Sequence, residues 1–271
     1  MDGTSETGLK DRYEFASVLA RQVGRQALRY WNEQGVDGLG TESKSLQDFV
    51  TKADKAAENT IRSELNGMFH GDGFVGEETG GAPGLAGYWV VDPIDGTANY
   101  LRGLRHWGVS IAFVSGGKTQ LGIVHDSPTD RLYHARLGQG AYRDGQAINV
   151  AQTTDPHAAM GILGTSRRIP IDAYLSRIRA LFEAGIEHRK IGSAAIGIVR
   201  VAEGVADFYH ESHLNSWDAL AAVLIAQEAG GVARVPEMAD FIADGGPVFC
   251  ATPALSEMLY ELLEPASDVP E

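Results

Sequence analysis

Apolar residues recur at helical spacing over 9–34, where Phe15, Val18, Leu19, Val23, Ala27, Leu28 and Trp31 predict a long amphipathic helix. A second helix is predicted over 52–67, with Ile61 and Leu65 on one face, because Thr51-Lys52-Ala53-Asp54 has the Ser/Thr-x-x-acid spacing of a helix start. Tyr88-Trp89-Val90-Val91 reads as a short buried strand. A meander follows at 109–114, 120–124 and 131–135, with a stretch to Val150; Gly116-Gly117 and Asp144-Gly145 supply its hairpin turns. Beyond Val150 the pattern changes to alternating elements, with helices at 171–184, 193–203, 217–229 and 253–263 and strands at 161–163, 206–210, 232–235 and 248–251. The first eight and last seven residues read as frayed ends. The expectation is α/β (α+β): a single compact catalytic unit in two halves, 1–150 and 151–271, with helices covering sheets.

Composition narrows the function classes. With 44% hydrophobic and 22% charged residues, the chain has the balance of a globular enzyme rather than a disordered segment. Its 23 basic and 36 acidic residues leave a net charge of −13, which argues against a general nucleic-acid or anionic-membrane partner. The lone cysteine, Cys250, permits no intrachain disulfide and no cysteine-built metal site. The polar start lacks the pattern of a signal peptide, and no apolar run approaches the roughly 18 residues of a membrane span, so a reducing cytoplasm is expected.

The strongest chemical signal is Trp89-Val90-Val91-Asp92-Pro93-Ile94-Asp95-Gly96-Thr97-Ala98-Asn99, a strand ending in two carboxylates with proline between them. Asp92, Asp95 and the Ile94 carbonyl can converge on a hard cation such as Mg²⁺, and Gly96-Thr97 can open a short helix whose free N–H groups donate to a phosphate oxygen. The competing structural reading is an Asp-Gly turn with a threonine cap. Glu77, in Gly76-Glu77-Glu78-Thr79, is a candidate ligand or a solvated loop acid. Asp54 and Asp218 each fall in a predicted first helical turn, where an acid also complements the helix dipole; Ser216 is the expected cap for the second.

Taken together, these segments resemble the inositol monophosphatases, the Mg²⁺-dependent, lithium-sensitive phosphatases, and their sugar-phosphatase relatives. The matching runs are Asp48-Phe49-Val50-Thr51-Lys52-Ala53-Asp54, Gly76-Glu77-Glu78-Thr79, the strand-end motif to Tyr100, and Trp217-Asp218-Ala219-Leu220-Ala221 leading to Gly230-Gly231, in the family's order over about residues 10–262. The resemblance implies a layered αβαβα sandwich, two or three Mg²⁺ ions, a phosphate monoester as substrate and a homodimer. It implies that Glu77, Asp92 and the Ile94 carbonyl hold the ion that activates water, with Asp54 and Thr97 positioning that water. It further implies that Asp92, Asp95 and Asp218 hold a second ion beside the leaving-group oxygen, that Gly96 and Thr97 offer backbone N–H groups to phosphate, and that Ala194 and Glu211 contact the rest of the substrate. Myo-inositol monophosphate is the first expectation for that substrate.

Arg102-Gly103, shortly before Trp107, is also seen in histidinol-phosphate phosphatases of the same superfamily, which keeps that substrate open as an alternative. Certain bacterial proteins of this type bind the transcription machinery, so a protein-interaction role is a second alternative. Haloacid-dehalogenase chemistry requires its two aspartates one residue apart, whereas Asp92 and Asp95 have two between them. Neither a Gly-x-Ser-x-Gly elbow nor a Gly-x-x-x-x-Gly-Lys-Ser/Thr loop is present.

Overall fold

The computed structural model describes residues 6–40, 42–45, 48–84 and 86–264, without the side chains of 36–38 and 42–50. The expected frayed segment 265–271 and the first five residues lie outside the described residues. Residues 6–8, also expected to fray, are helical, because helix α1 (Glu6–Gly38) starts earlier than its apolar stripe; its regular course breaks at Gly35. The buried stripe is Ala16, Leu19, Ala20, Val23 and Ala27, and Val18, expected on it, is 68% exposed. Helix α2 (Lys52–Met68) follows a small hairpin of β1 (Glu42–Ser45) and β2 (Asp48–Val50).

The next eight strands form one sheet: β3 (Gly73–Gly76), β4 (Gly80–Ala82), β5 (Tyr88–Asp95), β6 (Gly108–Ser115), β7 (Lys118–Asp126), β8 (Arg131–Arg136), β9 (Ala141–Arg143) and β10 (Gln146–Ala147). Their order is β10-β9-β8-β7-β6-β5-β3-β4, with β3 parallel to β5 and the other neighbours antiparallel. The Gly116-Gly117 and Asp144-Gly145 turns have positive φ at both positions, the geometry that suits two-residue hairpins of right-twisted strands. The short helix α3 (Thr97–Arg102) links β5 to β6.

The second sheet is built from β11 (Met160–Leu163), β12 (Glu187–Arg189), β13 (Phe208–Leu214), β14 (Val232–Arg234) and β15 (Gly246–Ala251), ordered β12-β11-β13-β15-β14. Between its strands run α4 (Ile171–Glu183), α5 (Ala194–Ala202), α6 (Ser216–Glu228) and α7 (Met238–Asp244), and α8 (Ser256–Leu263) closes the chain after a short turn of 3₁₀ helix, Pro253–Leu255. Neither β12 nor α7 was expected. Strand β13 also runs past the expected 206–210 to Leu214, which puts Glu211 on a strand rather than in a loop.

Helices α1 and α2 pack on one face of the eight-stranded sheet, α5 and α6 lie between the sheets, and α4 and α8 cover the far face of the five-stranded sheet. The layers therefore run α-β-α-β-α. Each interlayer space has its own apolar filling: Ile61, Trp89 and Phe113 under α1 and α2, Ile198, Tyr209 and Leu224 between the sheets, and Leu181, Phe208 and Leu259 on the far side. The α6 backbone approaches the large sheet so closely that a methyl group on Gly122 would lie 2.3 Å from the Ala221 carbonyl oxygen. A side chain there forces a helix away from a sheet.

Gly122→Ala is therefore expected to lower stability by about 1–3 kcal/mol in urea denaturation. Gly67→Ala, where a methyl group would meet nothing within 4 Å near the end of α2, is expected to raise it by about 0.4–1 kcal/mol. Equal effects at the two sites would refute the close-approach account.

Candidate active site

Residues three apart on a regular strand point to opposite faces, so Asp92 and Asp95 should diverge. They do not, because β5 bulges between them: Asp92 pairs with Ser110 and Asp95 with Gly108, three residues against two. The extra residue restores the alternation and brings both carboxylates to the same side. Pro93 sits inside the bulge, where a missing N–H costs no ladder bond. After Asp95 the chain turns through Gly96, at φ 92, into α3. A methyl group at Gly96 would come within 2.9 Å of the His106 carbonyl oxygen, so both the conformation and the space demand glycine.

Asp218, from the first turn of α6, meets this pair, and carboxylate oxygens of Asp92, Asp95 and Asp218 lie within 4.8 Å of one another. Each acid is fixed by backbone donors. Asp92 Oδ1 accepts from the Ile94 N–H at 2.9 Å. Asp95 sits at the N-terminus of α5, where Oδ1 accepts from the Ala194 N–H at 3.1 Å and Oδ2 from the Ala195 N–H at 2.8 Å and from the Ser193 hydroxyl. Asp218 Oδ2 accepts from the Asn215 N–H at 2.8 Å, so the cap residue of α6 is Asn215 and not Ser216, which is the first helical residue.

Asp54 repeats that arrangement in α2. Its Oδ2 accepts from the Thr51 N–H at 2.8 Å and from the Thr51 hydroxyl, completing a capping box, while Oδ1 accepts from the Thr97 hydroxyl at 3.1 Å. The same Thr97 hydroxyl lies 3.1 Å from the Ile94 carbonyl oxygen. Asp54, Thr97 and Ile94 thus form one connected edge of the site. Glu77 follows strand β3, with its N–H donating to the Val91 carbonyl at 3.2 Å, and its side chain shares a hydrogen bond with Asp92.

The electrostatics follow from burial. Desolvation raises the Asp92 carboxyl well above the usual range, with Glu77, Asp95 and Asp218 adding like-charge repulsion. Asp218 is raised well for the same reasons. Asp95 is pushed up by burial to about 6, against the opposing donors at the start of α5. Burial also raises Asp54. Such a cluster must take up either protons or a cation, and its all-oxygen donor set fits a hard divalent ion.

A cavity of about 220 Å³ opens from this cluster and is lined by Asp95, Asp218, Ala194, Glu211, Tyr209 and Lys190. Glu211 accepts from the Tyr209 hydroxyl at 2.6 Å, and its carboxyl is pushed up by burial to about 7, with Lys190 favouring the charged form. A larger cleft of about 960 Å³ near the start of α1 is lined by Phe15, Val18, Met68 and Phe69 and contains none of these acids. Of the residues lining the small cavity, sequence reasoning brought forward Asp95, Ala194, Glu211 and Asp218, and it missed the polar side chains of Tyr209, Ser193 and Lys190. Ser193 was legible as the Ser before a helix; an isolated lysine carries no pattern.

The chain matches the model of the inositol monophosphatase family over residues 9–267. It is 36% identical over 235 residues, 85% of each chain, to the Nus factor SuhB of Xylella fastidiosa. It is 31% identical over 222 residues to the fructose-1,6-bisphosphatase/inositol-1-monophosphatase of Thermotoga maritima, covering 82% of this chain and 84% of the relative. The crystal structure of the extragenic suppressor protein suhB from Bartonella henselae superposes with a TM-score of 0.86 at 27% identity, covering 93% of this chain and 98% of that one. Fold, acid cluster and sequence agree: the chain belongs to the inositol monophosphatase family.

Proposed function

We propose that the protein is a Mg²⁺-dependent phosphomonoesterase that hydrolyses myo-inositol monophosphate or a similar small polyol or sugar phosphate. The observation that carries this reading is the convergence of Asp92, Asp95 and Asp218 beside a cavity lined by Asp95, Asp218 and Glu211. Glu77, Asp92 and the Ile94 carbonyl would hold one Mg²⁺, and Asp92, Asp95 and Asp218 a second; a third ion is compatible with the resemblance. When bound, these ions supply the positive charge that neutralises a phosphate dianion and acidifies the attacking water.

The protein's own groups do the rest. The Thr97 hydroxyl, already bonded to Asp54, orients the nucleophilic water, and Asp54, its charged form disfavoured by burial, takes up the proton. Backbone N–H groups of Gly96 and Thr97, at the start of α3, have no helical partners and bind a phosphate oxygen. Glu211 accepts a hydrogen bond from a substrate hydroxyl, and Ala194 lines the same cavity. The reading includes a cytoplasmic homodimer inhibited by millimolar lithium. Among the described residues no helix is long and apolar enough to cross a membrane.

A second reading is a transcription-associated role, favoured by the name Nus factor SuhB carried by a 36% identical relative. Such a role does not need the acid cluster, so a catalytically dead variant that still captured RNA polymerase or ribosomal proteins would support it. Histidinol phosphate remains the alternative substrate, since its ammonium group can pair with Glu211.

Three measurements test the enzyme reading. Mg²⁺ at about 100 times its dissociation constant is expected to stabilise the fold by about 2.7 kcal/mol, reversibly with EDTA, and Asp92→Asn is expected to abolish the response. Asp95→Asn is expected to slow phosphate release by about three powers of ten, roughly 4 kcal/mol in barrier, and full turnover in this variant would exclude the two-ion site. In a release panel, inositol 1-phosphate is expected to lead; a tenfold or greater preference for histidinol phosphate would replace it as the substrate.

A further inference from the structure

Glu77 reaches the site from a turn rather than from a regular strand, since β3 ends one residue before it. Its N–H is tied to Val91 on β5, and the two residues after it are tied to a different element altogether. Glu58, on the buried side of α2, accepts from the Glu78 N–H at 2.8 Å through Oε2 and from the Thr79 N–H at 2.8 Å through Oε1, and Oε1 also accepts from the Thr79 hydroxyl. Glu58 is fully buried, yet its ion-pair partner, Arg62, lies only at the 4.0 Å limit. Arg62 closes the same turn from outside, donating to the Thr79 hydroxyl and to the Gly80 carbonyl at 2.6 Å while stacking over Phe74. The end of β3 is shaped around this carboxylate: a methyl group on Gly76 would lie 2.6 Å from the Glu58 carboxylate.

A buried carboxylate is a costly way to fill space, and an apolar side chain would pack an amphipathic helix at lower cost. What the carboxylate does here is to satisfy two adjacent backbone donors in one turn, which fixes the path of the chain immediately after Glu77. We propose that Glu58 is a positioning residue: it fixes the turn that presents Glu77 to Asp92, and so sets how tightly the site binds its cation. This assignment rests on the reading of Glu77 as a ligand. Glu58 has no contact with the cavity of Glu211, so its loss acts on cation affinity and leaves substrate binding at saturating Mg²⁺ unchanged.

The test is the midpoint of Mg²⁺-induced thermal stabilisation, read beside the KM for inositol 1-phosphate at saturating Mg²⁺. Glu58→Gln keeps the shape but loses the charge and one acceptor. Its expected effect is a rise in the Mg²⁺ midpoint of about 10-fold to 100-fold with KM unchanged. A variant that melts earlier but responds to Mg²⁺ at the wild-type midpoint would reduce Glu58 to a support of the fold and overturn the proposal. If Glu58→Gln does not fold, Thr79→Val removes the two bonds of the Thr79 hydroxyl, to Glu58 and from Arg62, keeps both backbone bonds to Glu58, and is read the same way: a raised midpoint supports the proposal and an unchanged one overturns it. Absence of any Mg²⁺ response in the wild-type protein would instead sink the metal reading itself, and this assignment with it.

Discussion

Like charges buried side by side repel, and the crowding of Asp92, Asp95 and Asp218 within 4.8 Å is the constraint around which the surrounding structure is arranged. Several acids buried elsewhere are paired with guanidinium groups. Asp72 meets Arg12 at 2.7 Å, Asp126 meets Arg200 at 2.6 Å, and Glu203 meets Arg143 at 2.6 Å. At the candidate site the pattern is different: among the described residues no ion pair involves Asp54, Asp92, Asp95 or Asp218. Their donors are backbone N–H groups and hydroxyls, which orient a carboxylate without cancelling its charge. The negative potential of the cluster is thereby left in place.

The same constraint explains why a structural and a catalytic reading of one acid need not compete. Asp54 and Asp218 are both the third helical residue, the one that closes a capping box, as their sequence spacing suggests. The cap occupies Oδ2 in each case, and in Asp54 the other oxygen faces Thr97. A capping box anchors a carboxylate through one oxygen at a known height above a helix, so it is an efficient way to present the other. Asp95 uses the complementary device, lying across the first N–H groups of α5 where the helix dipole favours an anion. Three helix N-termini therefore point their positive ends at a site whose own side chains are negative.

Legibility in the sequence followed the range of the physics involved. The Trp89–Asn99 motif was readable because strand, proline and acids are local, and the hairpin turns because positive φ selects glycine and aspartate. The bulge that turns Asp92 and Asp95 to one face was not readable, because it is defined by pairing with Ser110 and Gly108 on another strand. Glu58 lies in a polar stretch, Glu58-Asn59-Thr60, and looks like a surface acid; only the packing of α2 against the Glu78–Thr79 turn buries it. Strand β12 is Glu-His-Arg, without apolar alternation, and α7 buries a single residue, Phe241, so neither offers a period to detect. Val18 was misplaced by the opposite error, since an apolar residue near a stripe is not necessarily on it.

The net charge of −13 is the most easily misread number in the sequence. It bears on partners that sense the whole surface, and it says little about a site in which four acids are proposed to hold cations. In the proposed holoenzyme two or three Mg²⁺ bring about four to six positive charges against those carboxylates, which reverses the sign felt by a phosphate. That end of the cavity treats every phosphate monoester alike. Discrimination must then come from the groups that do not touch phosphate: Glu211, held by Tyr209 and pushed by burial towards its neutral form, and Lys190, which pulls it back towards the charged form. A carboxyl near the balance point between donor and acceptor can serve a polyol hydroxyl in either direction. An ammonium group needs the ionised form and must also approach Lys190, so in the proposed enzyme the pair would tilt the cavity towards neutral, hydroxyl-rich substrates.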